Sequence, residues 1–194
     1  HTLHIFACQE VQFQRGRDNS GSQKNLADRG YFVFRSFFNQ VIASQTDLLI
    51  KGEGCYKNSI VSRSDISLYD FQKGFQRQSA KFRKDECLSR LFKCGMCLFL
   101  SEGDLYVGER SGFLLQAFSP FVSADVSDYL KIRDKELRQG FQDDSALEIS
   151  FRDLSQRVWK WEKYLEEHPE SVLAEEADYY YRLYLSVLLT GLAN

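Results

Sequence analysis

Apolar residues in the last quarter of the chain recur every three or four positions, the spacing that places side chains on one face of an α-helix. The first run is Phe151, Leu154, Val158, Trp161 and Leu165. The second run is Leu173, Ala177, Tyr180, Tyr184, Val187, Leu188 and Leu192. Pro169 separates the runs, and Ser171 can cap the second helix because its hydroxyl accepts backbone N–H groups. The pattern predicts two antiparallel helices over residues 151–192.

The second apolar run is wider than a single packing face. Three further leucines lie beside it, namely Leu183, Leu185 and Leu189. Because a helix that packs on one side needs only a narrow apolar stripe, this width predicts packing on more than one side.

Helical spacing also predicts helices over residues 25–49, 64–84, 85–96 and 125–139. The first of these is ambiguous at Tyr31–Phe34, where aromatic and β-branched residues would equally suit a strand. Residues 97–118 differ, since two short apolar runs flank a Gly-containing turn. That pattern is typical of a β-hairpin, which Gly112 to Phe118 can extend to a three-stranded meander.

Together these elements predict a mainly α fold of about six helices, with a small β-hairpin or three-stranded meander near residues 97–118. An α+β fold, in which Tyr31–Phe34 is also a strand, is the alternative. Residues 1–24 are rich in Gly, Ser, Asn and Gln toward their end, which favours a flexible segment. Residues 25–194 are expected to form one globular domain that ends in the hairpin.

The junction between the last two helices has a distinctive amino-acid sequence. It consists of Trp161, Tyr164, Leu165, His168, Pro169, Ser171, Ala174 and Ala177. Over residues 159–177 it resembles the helix-turn-helix junction of tetratricopeptide-like proteins of the bacterial envelope. The resemblance implies a protein partner, which we expect to bind the aromatic residues Trp161, Tyr164, Tyr180 and Tyr184. No second copy follows near a 34-residue period, so we expect the hairpin to close a globular core.

The amino-acid composition indicates a folded hydrophobic core, but it does not identify a binding partner. The chain has 194 residues, 43% of them hydrophobic, with 16 Phe and only 2 Pro. Net charge is −2, divided into about +6 over residues 1–93 and −8 over residues 94–194. Within helix 64–84, basic residues lie mostly off the face that carries Phe, as on an ordinary core-facing helix, so nucleic-acid binding is not expected.

Five cysteines offer the sharpest candidate chemistry. Cys94 and Cys97 have the spacing of a dithiol redox site, although they lie between a helix and a strand instead of opening a long helix. Cys55 and Cys87 can join them as the four thiolates of a zinc site. The simplest interpretation is that most of the cysteines are buried small apolar residues, with room for one disulfide among them.

Other catalytic signals are missing from the sequence. The three His are at positions 1, 4 and 168, and none is placed as a buried general base. Phosphate-binding loops, serine nucleophile elbows and zinc-protease motifs are absent, and no cofactor is expected. The acidic pairs Glu102 with Asp104 and Asp143 with Asp144 are expected to be solvated loop residues.

The N-terminal region and the hydropathy bear on location. Ile5-Phe6-Ala7-Cys8 resembles a bacterial lipobox, which implies a lipid anchor at Cys8 as an alternative to a plain N-terminal segment. No apolar run is long enough for a transmembrane helix. We therefore expect a non-catalytic interaction or structural protein of a bacterial envelope or secreted location. The alternative is a thiol- or metal-dependent enzyme centred on Cys94 and Cys97.

Overall fold

The computed structural model describes residues 21–62, 84–101, 104–143 and 146–192. The helices in these residues are α1 Gly21–Lys51, α2 Glu86–Lys93, α3 Phe113–Phe118, α4 Ala124–Gln139, α5 Phe151–Glu167 and α6 Ala174–Thr190. The strands are β1 Met96–Ser101, β2 Asp104–Glu109, β3 Gln142–Asp143 and β4 Ala146–Leu147. Two short 3₁₀ turns occupy Gly54–Asn58 and Ile60–Ser62. The prediction of a mainly α fold with a small β-hairpin is confirmed.

Helix α1 runs without a break through Tyr31–Phe34, so the alternative α+β prediction is wrong. Tyr31 and Phe38, seven residues apart, are both buried. Phe34 stacks on Phe38 with ring centroids 5.6 Å apart, one helical turn away. Helical spacing of the aromatic rings therefore outweighs the local preference of these residues for a strand. The helix ends where Gly52 adopts a φ of 63°, a left-handed conformation that favours glycine.

Two compact units divide the described residues. The first contains Phe32–Arg110. The second combines the start of α1, up to Tyr31, with Ser111–Asn194. That residues 25–194 form one domain stays a prediction. The helix begins at Gly21, so the last residues of the predicted flexible segment 1–24 are helical.

In the first unit, Asp85 links the 3₁₀ turns to α2. Its carboxylate accepts the Ser59 hydroxyl and the Ile60 backbone N–H, each at 2.8 Å. The same carboxylate caps α2 by accepting the Leu88 N–H at 3.0 Å. A capping aspartate accepts a hydrogen bond from a backbone N–H that has no partner inside the helix. Here the same carboxylate also bonds to the turn that precedes the helix.

The β-hairpin pairs β1 with β2 in antiparallel register, from Met96 opposite Glu109 to Ser101 opposite Asp104. The Thr46 hydroxyl of α1 reaches the outer edge of β2, where it accepts the Val107 N–H at 3.1 Å. A side chain of α1 thus accepts a hydrogen bond from a backbone N–H of β2 that is not bonded to β1.

The predicted third strand is wrong, since Phe113–Phe118 forms α3. Leu114 and Phe118 are both buried and lie four residues apart, which is one helical turn. Gly112 precedes them with a φ of 81°, which turns the chain out of the hairpin. The sequence of this segment is rich in Leu, Ala and Gln, which favour helix over strand.

In the second unit, the start of α1 is fastened to the α3 region. The Ser123 N–H donates to the Asp28 carboxylate at 2.9 Å. Tyr31 contacts Phe118 edge to face, with centroids 5.4 Å apart. Helices α5 and α6 lie side by side and make the most extensive helix contact of the unit.

Among the helices of the described residues, none has the combination of length and apolar character needed to cross a membrane. The predicted helix 64–84 lies almost wholly outside the described residues, as do Cys8, Glu102 and Asp144.

Candidate functional site: the helical hairpin and its neighbours

Local sequence signals set both ends of α5. Ser150 is the N-cap, and its hydroxyl accepts the Asp153 backbone N–H at 3.1 Å. At the other end the helix stops at His168, because Pro169 disfavours a helical conformation for the residue before it. These signals fix where α5 begins and ends.

Aromatic packing joins α5 to both α4 and α6. Trp161 is fully buried. Its indole stacks on Tyr180 of α6 at 5.3 Å and contacts Tyr129 of α4 at 5.4 Å. Tyr164 and Tyr184 are also buried, with 2% and 3% of their surface exposed. The centre of this unit is therefore an aromatic cluster that three helices share.

A buried carboxylate lies at the centre of the cluster. Glu136 of α4 is 5% exposed. It accepts the Trp161 indole N–H at 2.7 Å and forms an ion pair with Arg133 at 2.5 Å. The Arg133 guanidinium in turn lies 4.1 Å from the centre of the Tyr180 ring. Because Glu136 has both a cation and a neutral donor, its burial is compensated.

A chain of hydrogen bonds ties the hairpin turn to α4. The Ser171 hydroxyl donates to the Asp125 carboxylate at 2.6 Å. Its single proton is used there, so the Tyr164 hydroxyl donates to Ser171, at 2.9 Å. Burial raises the pKa of Tyr164 to about 12, which keeps this donor protonated. His168 adds a contact of 3.3 Å to Asp128.

The four aromatic residues expected to bind a partner are brought together, but mostly inside the unit. Trp161, Tyr164 and Tyr184 are buried, and Tyr180 is half-buried. In this conformation they hold α4, α5 and α6 together, and their role in binding a partner stays a prediction. Exposed aromatic side chains of the hairpin lie elsewhere, at Phe151, Trp159 and Tyr179.

Helix α6 carries a second apolar surface beside the face that packs on α5. We call it the α6 stripe, and its residues are Tyr181, Leu185, Leu188 and Leu189. Leu189 is 74% exposed, and the other three are half-buried. The face toward α5 is distinct and contains the buried residues Ala177, Tyr184 and Val187. The breadth of the apolar pattern on α6 thus corresponds to one covered face and one partly exposed face.

The cysteines are arranged differently from a dithiol site. Cys55 and Cys87 form a disulfide with an S–S distance of 2.01 Å. Cys94 is disulfide-bonded as well, whereas Cys97 is a free thiol, so these two are not bonded to each other. Zinc binds thiolates, and the four-cysteine zinc site therefore stays a prediction that applies only to the reduced chain.

Burial controls the chemistry of the free thiol. It raises the pKa of Cys97 to about 12, against a smaller lowering effect of Arg110. Cys97 is therefore a protonated thiol at neutral pH, and the thiolate is the reactive form. Elsewhere in the described part of the chain, no cluster of three or more His, Cys, Asp or Glu is arranged to hold a metal ion.

Charged residues of α4 are the part of this site that the sequence analysis missed. Glu136 and Arg133 lie in a strongly polar helix and carry no distinguishing local pattern. Arg157 of α5 is likewise buried within a charged stretch. The nearest available signal was the presence of Trp and Tyr on the facing helices, because a buried indole or phenol usually needs a hydrogen-bond partner.

No family model, curated protein or solved structure matches this chain at a significant level.

Proposed function

We propose that this chain is a non-catalytic interaction protein of a bacterial cell envelope, and that its α6 stripe binds an amphipathic helix of a protein partner. The observation that carries the proposal is the partly exposed apolar surface of α6. Tyr181, Leu185 and Leu188 follow one another at steps of four and three residues, and Leu189 lies beside them. This is the spacing at which one helix offers a continuous apolar seam to another.

Burial of the stripe supplies the driving force for binding. Covering a leucine side chain contributes about 1.5–3 kcal/mol, and Leu189 alone is 74% exposed. The seam is flanked by the ion pair of Arg182 with Asp178, whose nitrogen and oxygen lie 2.7 Å apart. An apolar centre with a charged edge is typical of a protein interface.

Disulfide bonding supports an extracytoplasmic location. The bond between Cys55 and Cys87 and the bonded state of Cys94 belong to an oxidising compartment. Such bonds are rare in the reducing cytosol. The resemblance of residues 159–177 to envelope proteins points the same way.

The position of Cys97 supports a non-catalytic role over the thiol-dependent alternative. A catalytic cysteine needs a depressed pKa and access to solvent. Burial instead raises the pKa of Cys97 to about 12. Cys94, its proposed redox partner, is already bonded elsewhere.

Selection from a phage-displayed library of amphipathic helical peptides tests the binding surface. We expect selected peptides to lose about tenfold or more in affinity for Leu185→Asp, because a charge is placed in an apolar seam. Ser186→Asp is the matched control, since Ser186 is exposed on the same helix and lies off the stripe. Circular dichroism melts establish that both variants are folded.

Two results of this selection would contradict the proposal. In one, no peptide is enriched over an unrelated folded protein. In the other, enriched peptides bind Leu185→Asp and Ser186→Asp equally well, which would place the binding surface elsewhere. Sedimentation of the unliganded chain completes the test, since self-association abolished by Leu185→Asp would identify a second copy as the occupant.

A further inference from the structure

Helix α6 changes in character along its length, and this change bears on the partner of the α6 stripe. The first turns of the helix contain Glu175, Glu176 and Asp178. The chain from Leu183 to Leu192 contains no charged residue at all. A helix bound along α6 is therefore met by carboxylates at one end and by apolar or neutral side chains at the other.

Two of these carboxylates lie in line with the α6 stripe. Asp178 precedes Tyr181 by three residues and Glu175 precedes Asp178 by three, the spacing of neighbours on one helical face. Asp178 is half-buried and pairs with Arg182 at 2.7 Å. Glu175 is exposed, and no cation of the described residues forms an ion pair with it. The apolar face thus continues toward the hairpin turn as an acidic one.

The last turns of α5 add acidic side chains at the same end of the hairpin. Because α5 and α6 are antiparallel, the end of α5 lies beside the start of α6. Between Glu162 and Arg182 the chain has seven acidic residues and two basic ones, a net charge of −5 with His168 neutral. Three of the acidic side chains in this part are exposed and form no ion pair within the described residues, namely Glu162, Glu166 and Glu170. Their negative charge is available to a partner.

The other end of the hairpin differs. Phe151, at the start of α5, is 61% exposed, and Leu189, near the end of α6, is 74% exposed. The acidic residue in this part of α5 is Asp153, which accepts the Ser150 hydroxyl at 2.6 Å. Arg152 next to it is exposed. This end therefore offers apolar surface and little negative charge, in contrast to the turn.

The sign of the charge distinguishes a protein partner from a membrane. Cell membranes present anionic headgroups, and helices that lie on them surround their apolar face with Lys and Arg. The α6 stripe has the opposite arrangement, since carboxylates outnumber cations beside it. An anionic lipid surface is repelled by this arrangement, whereas a cationic peptide is attracted.

We propose that the partner of the α6 stripe is a basic amphipathic helix, whose Lys and Arg residues cluster at the end that lies beside the hairpin turn. This inference rests on the function proposed above and adds the charge of the partner and its placement along α6. Apolar side chains of the partner cover Leu185 and Leu188, and its cations pair with Glu166 and Glu175. Apolar burial drives the binding, and charge at the rim selects the partner and aligns it.

Two synthetic helical peptides test the charge of the partner on the full chain. Both have leucine at every third or fourth position, and one half of each carries Lys in the first peptide and Glu in the second. We expect the Lys peptide to bind about tenfold more tightly at low salt, as measured by fluorescence anisotropy. The preference should shrink at high salt, because salt screens exposed charges.

Removal of carboxylates from the hairpin locates the origin of the preference. We expect Glu166→Gln combined with Glu175→Gln to weaken binding of the Lys peptide about fivefold, because two attractions at the rim are lost. Asp47→Asn combined with Glu53→Gln is the matched control, since it removes two exposed carboxylates of the first unit. Circular dichroism melts establish that both double variants are folded.

Failure of this inference is distinct from failure of the proposed function. Equal binding of both peptides, weakened by Leu185→Asp, would leave the α6 stripe as a helix-binding surface and overturn its preference for a basic partner. An equal loss of affinity in the two double variants would also overturn that preference, because it would show attraction to the net charge of the chain. Binding of neither peptide would contradict the proposed function and this inference together. Binding to phosphatidylglycerol vesicles that Leu185→Asp abolishes would assign the stripe to a membrane and overturn both.

Discussion

The indole of Trp161 donates a hydrogen bond of 2.7 Å to the carboxylate of Glu136, and both side chains are buried. The two residues are 25 positions apart in the chain and come from different helices. The contact joins the aromatic cluster of the hairpin to the ion pair of α4. A buried carboxylate that loses a donor is costly, so this bond makes the packing of α4 on α5 specific.

Trp161→Phe is expected to destabilise the chain by about 2–4 kcal/mol, because it removes the donor to Glu136 and leaves a cavity. Urea unfolding followed by circular dichroism measures the change. Trp159→Phe is the control, since Trp159 is 57% exposed and its replacement should change stability by less than about 0.5 kcal/mol. Equal effects of the two substitutions would show that the buried hydrogen bond contributes nothing.

Paired replacement of Cys55 and Cys87 by serine should lower the stability of the oxidised chain by roughly 4 kcal/mol. The two cysteines are separated by 32 positions, and the value follows from the chain entropy that the bond removes from the unfolded state. Cys97→Ser leaves Cys55, Cys87 and Cys94 in place and serves as the comparison. Thermal unfolding without reductant is the measurement, and an unchanged midpoint in the paired variant would refute this expectation.

Native Cys97 should react with iodoacetamide about a thousandfold more slowly than a thiol with the ordinary pKa of 9.0, because its pKa is raised to about 12. The rate should rise with pH across this interval. Mass spectrometry of the labelled chain follows the reaction, with urea-unfolded protein as the fast reference. Rapid labelling of the folded chain at neutral pH would restore the thiol-dependent alternative.

The raised pKa of Cys97 also has a consequence for stability. The folded chain keeps the thiol proton up to pH about 12, whereas the unfolded chain loses it near 9. Between these values the folded state binds more protons, so stability falls as the pH rises. Cys97→Ser should remove that part of the alkaline destabilisation, and urea unfolding at pH 8 and pH 10 compares the two chains.

Ser171→Ala should weaken the turn of the hairpin and change its response to acid. Burial favours protonation of Asp125, but hydrogen bonds that include the one from Ser171 outweigh it and hold the pKa of Asp125 below its ordinary value. The carboxylate therefore stabilises the fold above pH 3.8, and this contribution is lost as the pH falls through the lowered pKa.

We expect Ser171→Ala to cost about 1–2 kcal/mol at neutral pH and to flatten the decline in stability below pH 4. Urea unfolding from pH 6 to pH 2 tests both parts. Ser186→Ala, at an exposed position of α6, should follow the wild type at every pH. Parallel acid profiles for wild type and Ser171→Ala would mean that the hydrogen bond does not act on Asp125.

Local patterns alone predicted much of the helical framework. The periodic apolar positions of α5 and α6, the cap at Ser150 and the break at Pro169 all act within a few residues, so they can be recognised without knowledge of the rest of the chain. The same holds for the hairpin of β1 and β2, whose turn lies between its own strands. The prediction failed at Phe113–Phe118, where a short apolar run after a hairpin was assigned to a strand although its Leu, Ala and Gln favour a helix.

The candidate site depended on contacts that no local pattern contains. Tertiary packing alone decided three features: which charged residues of α4 are buried, which cysteine is bonded to Cys55, and which aromatic rings face inward. The physical reason is that burial and pairing depend on residues far apart in the chain. A carboxylate such as Glu136 is stable inside the protein only because Arg133 and Trp161 meet it there. The sequence by itself thus determined where most of the described helices form, and the tertiary structure decided which of their side chains are free to bind.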